Sequence, residues 1–164
     1  MDDDAIDFVV AAWQEEGRWM LEALPPQAGL SVDRLINSLA AHPSQGGVLG
    51  LVSIADDFFV IARVQGRHPR FLLSDVSAGQ DWPIAEEVLD RLGIPIPNDD
   101  DDDFDEVTPA GDMTIVADWG MSGAELTMLC EDIDMFPDEV LSAIATRLGF
   151  GPSFDAASGD LRAV

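Results

Sequence analysis

The sequence predicts a single α+β domain with an antiparallel-rich sheet of about five strands and about four helices. Three observations predict it. Apolar runs occur in groups separated by turn residues, the helical segments begin at recognisable capping residues, and 164 residues is about the length of one domain. We place the domain at 1–151, with a flexible acidic loop at 98–106 between the second and third helices and a frayed C-terminal tail at 152–164.

The N-terminal segment predicts a β-hairpin followed by a helix. Apolar runs at 6–13 and 18–24 flank a Glu-Gly dipeptide that suits a tight turn. The stretch "PPQAG" then breaks the chain. A helix is predicted over 31–41, because Ser31 is a suitable N-cap and the apolar residues after it fall on one face.

The middle of the chain predicts three antiparallel strands and a second helix. Apolar runs at 48–54, 58–64 and 70–74 are separated by "ADD" and "QGRHP", which indicates a meander. A helix is predicted over 81–92, with Asp81 near its cap, a proline in its first turn and a glycine after its end.

The C-terminal third predicts one strand and two helices. The run "MTIVA" at 113–117 indicates a short strand. Ser122 opens the capping box Ser-Gly-Ala-Glu, so a helix is predicted over 122–132. The last helix is predicted to begin at Pro137 and to end before Gly149.

The net charge restricts the classes of partner. The chain has 32 acidic residues against eight basic ones, and its net charge of −24 falls only to −17 when the seven acids of 99–106 are removed. Such a surface repels phosphate backbones and anionic lipids, so neither direct nucleic-acid binding nor membrane binding is expected. A basic protein partner is favoured. All the basic residues are arginine, which excludes a Schiff-base or phosphate-loop lysine.

Cysteine content and hydropathy predict a cytoplasmic protein. Cys130 is the single cysteine, so no internal disulfide can form. It lies on the apolar face of a capped helix, where a buried small side chain is expected rather than a nucleophile. The N-terminus opens with acids where a signal peptide needs basic residues, and no apolar run approaches the roughly 20 residues of a membrane helix.

The stretch "NDDDDDFDEV" is the most acidic part of the sequence. A calcium loop needs spaced oxygen ligands and a glycine at its bend, and this stretch has neither. It predicts a solvated loop, or a contact with a basic partner in which the acids steer and an embedded phenylalanine docks. Two tryptophans beside helix starts could serve the same interface. The candidate partner-binding residues are Asp99, Asp100, Asp101, Asp102, Asp103, Phe104, Asp105, Glu106, Trp82 and Trp119.

Asp75 and Asp118 are the weaker candidates for a metal site. "FLLSD" and "TIVAD" are both apolar runs that end in an aspartate. If the two strands were parallel neighbours, the carboxylates would meet and could hold Mg²⁺. The alternative is that each aspartate caps a loop or a helix start.

One basic cluster interrupts the acidic sequence. "RVQGRHPR" contains Arg63, Arg67, His68 and Arg70, which could grip phosphate or an acidic segment, or could simply belong to a hairpin turn. One cysteine and two scattered histidines give no zinc spacing, and no cofactor is expected.

The half of the chain from Phe71 onward resembles the tRNA adenosine deaminase-associated protein family of high-GC bacteria. The resemblance is carried by "FLLSDVSAGQDWPIAEEVLDRLG", by "GDMTIVADWGMSGAELTMLCEDIDMFPDEVLSAIATRLGFG" and by the acidic loop between them. The hairpin "DDFFVIARVQG" also fits, whereas the first 45 residues match less well. The resemblance implies an association with the enzyme that makes inosine at the tRNA wobble position, but it assigns no catalytic residues.

The sequence therefore favours a non-enzymatic accessory protein whose partner is the deaminase. The chain is not the deaminase itself, because that chemistry needs His-x-Glu and Pro-Cys-x-x-Cys, and neither motif is present. Two alternatives stay open: a small metal-dependent enzyme that uses Asp75 and Asp118, and a structural homo-oligomer.

Overall fold

A computed structural model describes residues 6–42, 46–65, 68–95, 108–132 and 134–162. Within them the chain forms one six-stranded sheet and five α-helices. The strands are β1 (Ile6–Glu15), β2 (Arg18–Leu24), β3 (Val48–Ile54), β4 (Phe58–Gln65), β5 (His68–Leu73) and β6 (Ala110–Gly111). The helices are α1 (Val32–Ala40), α2 (Pro83–Leu92), α3 (Gly123–Cys130), α4 (Pro137–Leu148) and α5 (Gly151–Arg162).

The strand order is β2-β1-β3-β4-β5-β6, and every neighbouring pair is antiparallel. The predicted α+β class, the N-terminal hairpin and the three-stranded meander are thus confirmed. The structure adds one strand and one helix to the numbers predicted. The extra strand, β6, is two residues long and pairs with Leu72 and Leu73 at the end of β5.

The two tight turns of the sheet that lie within the described residues place non-glycine residues in the left-handed region. Glu16 (φ 53°) precedes Gly17 (φ 80°) between β1 and β2, and Ala55 (φ 55°) precedes Asp56 (φ 50°) between β3 and β4. Two consecutive positive φ angles give the turn the twist that antiparallel strands require. The β3–β4 turn therefore carries the steric cost of a Cβ at both central positions.

The sheet lies between two hydrophobic cores. Helices α1 and α2 cover one face, where Leu35 and Val88 join the strand residue Val52. Helices α3, α4 and α5 cover the other face, where Ile144 joins Leu51. Because both faces are covered, every residue of β3 is buried, which explains why its sequence is continuously apolar.

The predicted helix ends agree with the structure to within two residues. Ser31 Oγ accepts a hydrogen bond from the Arg34 amide at 3.2 Å, and Ser122 Oγ accepts one from the Glu125 amide at 3.2 Å. Helix α2 begins at Pro83 rather than at 81, because a 3₁₀ helix (Val76–Gln80) occupies the chain before it.

The strand predicted at 113–117 is wrong. Asp112 accepts hydrogen bonds from the amide and hydroxyl of Thr114, which bends the chain into a turn at that point. A 3₁₀ helix (Ala117–Trp119) follows directly. Ile115 and Val116 are both fully buried, so consecutive apolar residues here enter the core from a turn rather than from a strand.

The tail predicted to fray at 152–164 is wrong for 152–162, which belong to α5. The sequence of α5 is small and polar, but Phe154 is 1% exposed and its ring meets that of Phe8 edge-on, with centroids 5.5 Å apart. Tertiary packing therefore stabilises a helix whose own propensity is weak.

No described helix is long and apolar enough to cross a membrane.

Candidate functional site

The structure contains a pocket at one end of the sheet, between the β3–β4 turn and the start of α4. Its volume is about 190 Å³, which is below the roughly 300–1,000 Å³ of a typical small-molecule site. We call it the aspartate-rimmed pocket. It is lined by Asp56, Asp57, Phe59, Ser74, Asp75, Cys130, Asp132, Met135, Phe136, Pro137 and Val140.

Backbone and side-chain hydrogen bonds fix the elements that carry the rim. Asp7 Oδ2 accepts from Ser53 Oγ at 3.0 Å and from the Asp56 amide at 2.8 Å, which holds the β3–β4 turn. Ser74 Oγ accepts from the Phe59 amide at 2.9 Å, which ties the end of β5 to β4. The turn and the strand end that form this side of the pocket are therefore anchored to the sheet.

Two rim carboxylates also cap local structure. Asp75 Oδ1 accepts from the Ser77 amide at 3.1 Å at the start of the 3₁₀ helix. Asp132 Oδ1 accepts from the Asp134 amide at 3.0 Å in the connection between α3 and α4. These bonds orient the two carboxylates and leave each with further acceptor capacity, because a carboxylate has about four lone-pair sites.

Like charges crowd Asp57. Its pKa is raised, first by burial and then by the negative charges of Asp75 and Asp81. A cation placed among these carboxylates would relieve that repulsion, whereas an anion would increase it.

The floor of the pocket is apolar, and its one thiol is unreactive. Val140 and Phe59 are buried there, and burial raises the pKa of the Cys130 thiol to about 12, with Glu131 adding to the shift. The thiol is consequently protonated at neutral pH and is not a nucleophile. The expectation that Cys130 is buried is confirmed. At the rim, the side chain of Phe136 is 61% exposed.

Asp118 lies in a separate arrangement around a buried arginine. The Arg63 side chain is fully buried, and its guanidinium donates to both oxygens of Asp118, at 2.5 and 2.8 Å. It also donates to the carbonyl of Ile115 at 2.8 Å and to that of Gly46. The Trp119 ring covers it at 3.5 Å. These contacts satisfy the buried cation, and the hydrogen bonds from Arg63 lower the pKa of Asp118.

Asp75 and Asp118 do not form the predicted pair of strand ends. The strand that would have carried Asp118 is absent. Asp75 caps a helix start, as the alternative predicted, whereas Asp118 binds the distant Arg63, a role that neither interpretation predicted. Within the described residues, no group of three His, Cys, Asp or Glu side chains is arranged to hold a metal ion.

Two arginines of the predicted basic cluster pair with acids of the same chain. Arg63 binds Asp118, and Arg70 lies 3.3 Å from Asp112. Arg70 also lines a second cavity of about 370 Å³ with Arg91, which pairs with Asp33 at 2.9 Å. Arg67 lies outside the described residues.

The two tryptophans predicted for an interface are half-buried. Trp82 packs at the edge of the core against Phe58, with ring centroids 5.8 Å apart. Trp119 is held between Arg63 and the edge of Trp19. Both rings therefore have packing roles. The acidic stretch from Asp99 to Glu106, including Phe104, lies outside the described residues.

Sequence reasoning singles out Asp75 and Cys130 but misses the rest of the pocket. The sequence indicates Asp56 and Asp57 only as turn residues, and it gives no prediction for Asp132 or Phe136. The signal that could have found the last two is "EDIDMFPDE", where an apolar pair lies among acids directly before a helix-starting proline. Nothing in the sequence placed that stretch beside the β3–β4 turn.

The fold and the pocket define an acidic α+β domain with one antiparallel sheet between two helical layers and a carboxylate-lined apolar pocket. Residues 7–151 match the family described as Rv3753c-like tRNA adenosine deaminase-associated protein, and the chain belongs to that family. It is similar to Protein Rv3753c of Mycobacterium tuberculosis (strain ATCC 25618 / H37Rv), with 38% identity over 149 residues, which are 91% of this chain and 86% of that relative. No solved structure shows a significant match.

Proposed function

We propose that this protein is a non-enzymatic accessory protein that binds a tRNA adenosine deaminase through complementary charge. The family description names an association with that enzyme, which supports the choice of partner. The acidic surface of this chain supports the mode of binding.

The observation that carries the proposal is that arginines of this chain are paired with its own acidic residues. At least four of the eight lie in ion pairs within the chain, and these pairs are Arg63–Asp118, Arg70–Asp112, Arg91–Asp33 and Arg147–Glu125. The chain has 32 acidic residues and eight arginines, so 28 acidic residues and four arginines remain outside these four pairs. These remaining residues therefore carry a large excess of negative charge. Such a molecule attracts a basic surface at long range and repels nucleic acid.

A tRNA-modifying enzyme presents the kind of surface that this charge suits. It binds phosphates through basic residues, and an acidic protein can occupy the same face. We infer that the protein competes with tRNA for the deaminase, or keeps the enzyme soluble until tRNA arrives. The run Asp99–Asp103, with Phe104 beside it, would then steer the encounter.

The chemistry of the described residues supports a binding role. The one thiol is protonated and buried, and Asp118 is committed to Arg63. The sequence also lacks the His-x-Glu and Pro-Cys-x-x-Cys motifs by which zinc deaminases activate water.

The proposal is tested by calorimetry of this protein with the tRNA adenosine deaminase of the same organism, at low and high salt. We expect binding at low salt that weakens steeply as salt rises, and displacement by tRNA. Absence of binding at low salt, or binding indifferent to both salt and tRNA, would refute it.

A kinetic test separates steering from contact. Replacing Asp99–Asp103 with asparagine should slow association more than it speeds dissociation, since steering acts on the encounter. The matched control replaces Glu86 and Asp90, two exposed acids of α2, with their amides. An equal slowing per charge in both variants would show that net charge acts without help from the acidic run.

A further inference from the structure

We propose that the aspartate-rimmed pocket is a docking site for one arginine or lysine side chain of a protein partner, together with an apolar side chain next to it. This inference deepens the proposed function and rests on it for the identity of the partner. The aspartate-rimmed pocket would give the complex a specific point of contact, which a diffuse negative charge alone does not give.

The charge of the rim selects a cation. Four aspartates line the pocket, they come from three separate parts of the chain, and no basic residue is among the lining residues described. The pKa of Asp57 is raised first by burial and then by repulsion from Asp75 and Asp81. A bound ammonium or guanidinium group would offset that repulsion and could donate hydrogen bonds to the carboxylates.

The apolar part of the pocket selects a long side chain on a protein rather than a free ion. Phe59, Cys130 and Val140 form a floor that a hydrated metal ion could not use. The stem of arginine or lysine is apolar and can bury along such a floor while its charged head stays among the carboxylates.

Phe136 provides the second contact. Its ring is 61% exposed at the rim, directly before the first residue of α4, and the backbone there is fixed because the Phe136 amide donates to Glu139 Oε1 at 3.1 Å. A guanidinium can stack on an exposed ring, and a neighbouring leucine or phenylalanine of the partner can cover its edge. The pocket volume of about 190 Å³ suits a side chain rather than a larger ligand.

Methionine methyl NMR on the full chain tests the inference. Met135 lines the pocket, whereas Met20 and Met128 are exposed elsewhere, at 41% and 72%, and act as internal controls. The labelled protein is titrated with the deaminase, with a short synthetic peptide that carries arginine beside leucine, with a peptide in which glutamate replaces the arginine, and with magnesium chloride. We expect the Met135 signal to shift with the deaminase and with the arginine peptide, and not with the glutamate peptide.

Point variants give an independent reading. Phe136→Ala and Asp57→Asn should each weaken the affinity for the deaminase about threefold to tenfold, from the loss of a cation–π contact or of one carboxylate. The matched controls are Met128→Ala, which removes an exposed apolar side chain outside the pocket, and Asp90→Asn, which removes one exposed charge from α2. Both controls should bind within about twofold of the wild type.

The outcomes separate the two proposals. If the deaminase binds but Met135 does not respond and the pocket variants match their controls, the docking site is refuted while the accessory function stands. If the deaminase does not bind at all, the accessory function is refuted. The peptides then decide the pocket: a Met135 shift with the arginine peptide alone supports it, and an equal response to both peptides, to neither, or to magnesium chloride refutes it.

Discussion

Removing the carboxylate of Asp118 should destabilise the fold strongly, although that residue lies at the surface. The perturbation is Asp118→Ala. It deletes two charge-assisted hydrogen bonds to Arg63 and leaves the guanidinium with the carbonyls of Ile115 and Gly46 as its remaining partners. A fully buried cation would then lack its counter-ion.

The magnitude follows from the burial of the two partners. Breaking a buried ion pair on one side costs about 3–5 kcal/mol. Because the Asp118 side chain is 59% exposed, water can reach the vacated side of the guanidinium and replace part of the loss. We therefore expect the free energy of unfolding to fall by about 3 kcal/mol, at the lower end of that range.

The assay is urea unfolding monitored by tryptophan fluorescence, for which Trp119 is well placed over Arg63. The control is Asp33→Ala, which breaks a 2.9 Å pair with Arg91 in which the two side chains are 80% and 40% exposed. Such a surface pair contributes about 0–1 kcal/mol. If Asp118→Ala costs no more than the control, the reasoning about the buried guanidinium is wrong.

The pH dependence gives a second check on Asp118. Its pKa is lowered in the folded state, first by the hydrogen bonds from Arg63. The stability that it adds is therefore full above the unfolded pKa of about 3.9 and is lost as the pH falls through the folded-state pKa. The stability difference between wild type and Asp118→Asn should be constant above about pH 5 and should shrink below about pH 4.

Three further variants or reactions test other parts of the structure. Phe154→Ala should cost about 3–4 kcal/mol in urea unfolding, and a loss under about 1 kcal/mol would mean that α5 contributes little to the core. Ala55→Gly should raise the melting temperature, because the left-handed φ costs alanine about 1–2 kcal/mol, of which the added chain entropy of glycine offsets roughly half; a lower melting temperature would contradict this. Cys130, whose pKa is raised to about 12, should react with iodoacetamide far more slowly in the native than in the unfolded protein, and equal rates would contradict its burial.

Local signals explain which elements the sequence predicts well. Ser31 and Ser122 each satisfy amides within their own helix, so the sequence near them is sufficient to place the helix start. The Glu-Gly turn works in the same way, because the twist of a hairpin is decided by its central residues. The meander is predictable because its apolar runs are separated by the short polar stretches "ADD" and "QGRHP".

The errors occur where distant parts of the chain decide the outcome. The segment around Phe154 forms a helix because the Phe154 ring packs against Phe8, which lies at the other end of the described chain. The run around Ile115 is a turn because its carbonyl, through Arg63, is tied to β4. The aspartate-rimmed pocket has the same origin, since the sheet brings the β3–β4 turn to the end of α3. No periodicity in one sequence records such contacts.

The covering of β1 by α5 has a consequence for how the chain folds. The strand near the start of the sequence is sealed by the last described helix, through Phe8 and Phe154, and Trp19 of β2 donates to the carbonyl of Leu148 at 3.1 Å. Contacts so far apart in sequence form late and slowly, so the part of the apolar sheet face around β1 stays uncovered in a nascent chain until α5 has been synthesised. During that interval, mutual repulsion between chains of strong negative charge would oppose aggregation.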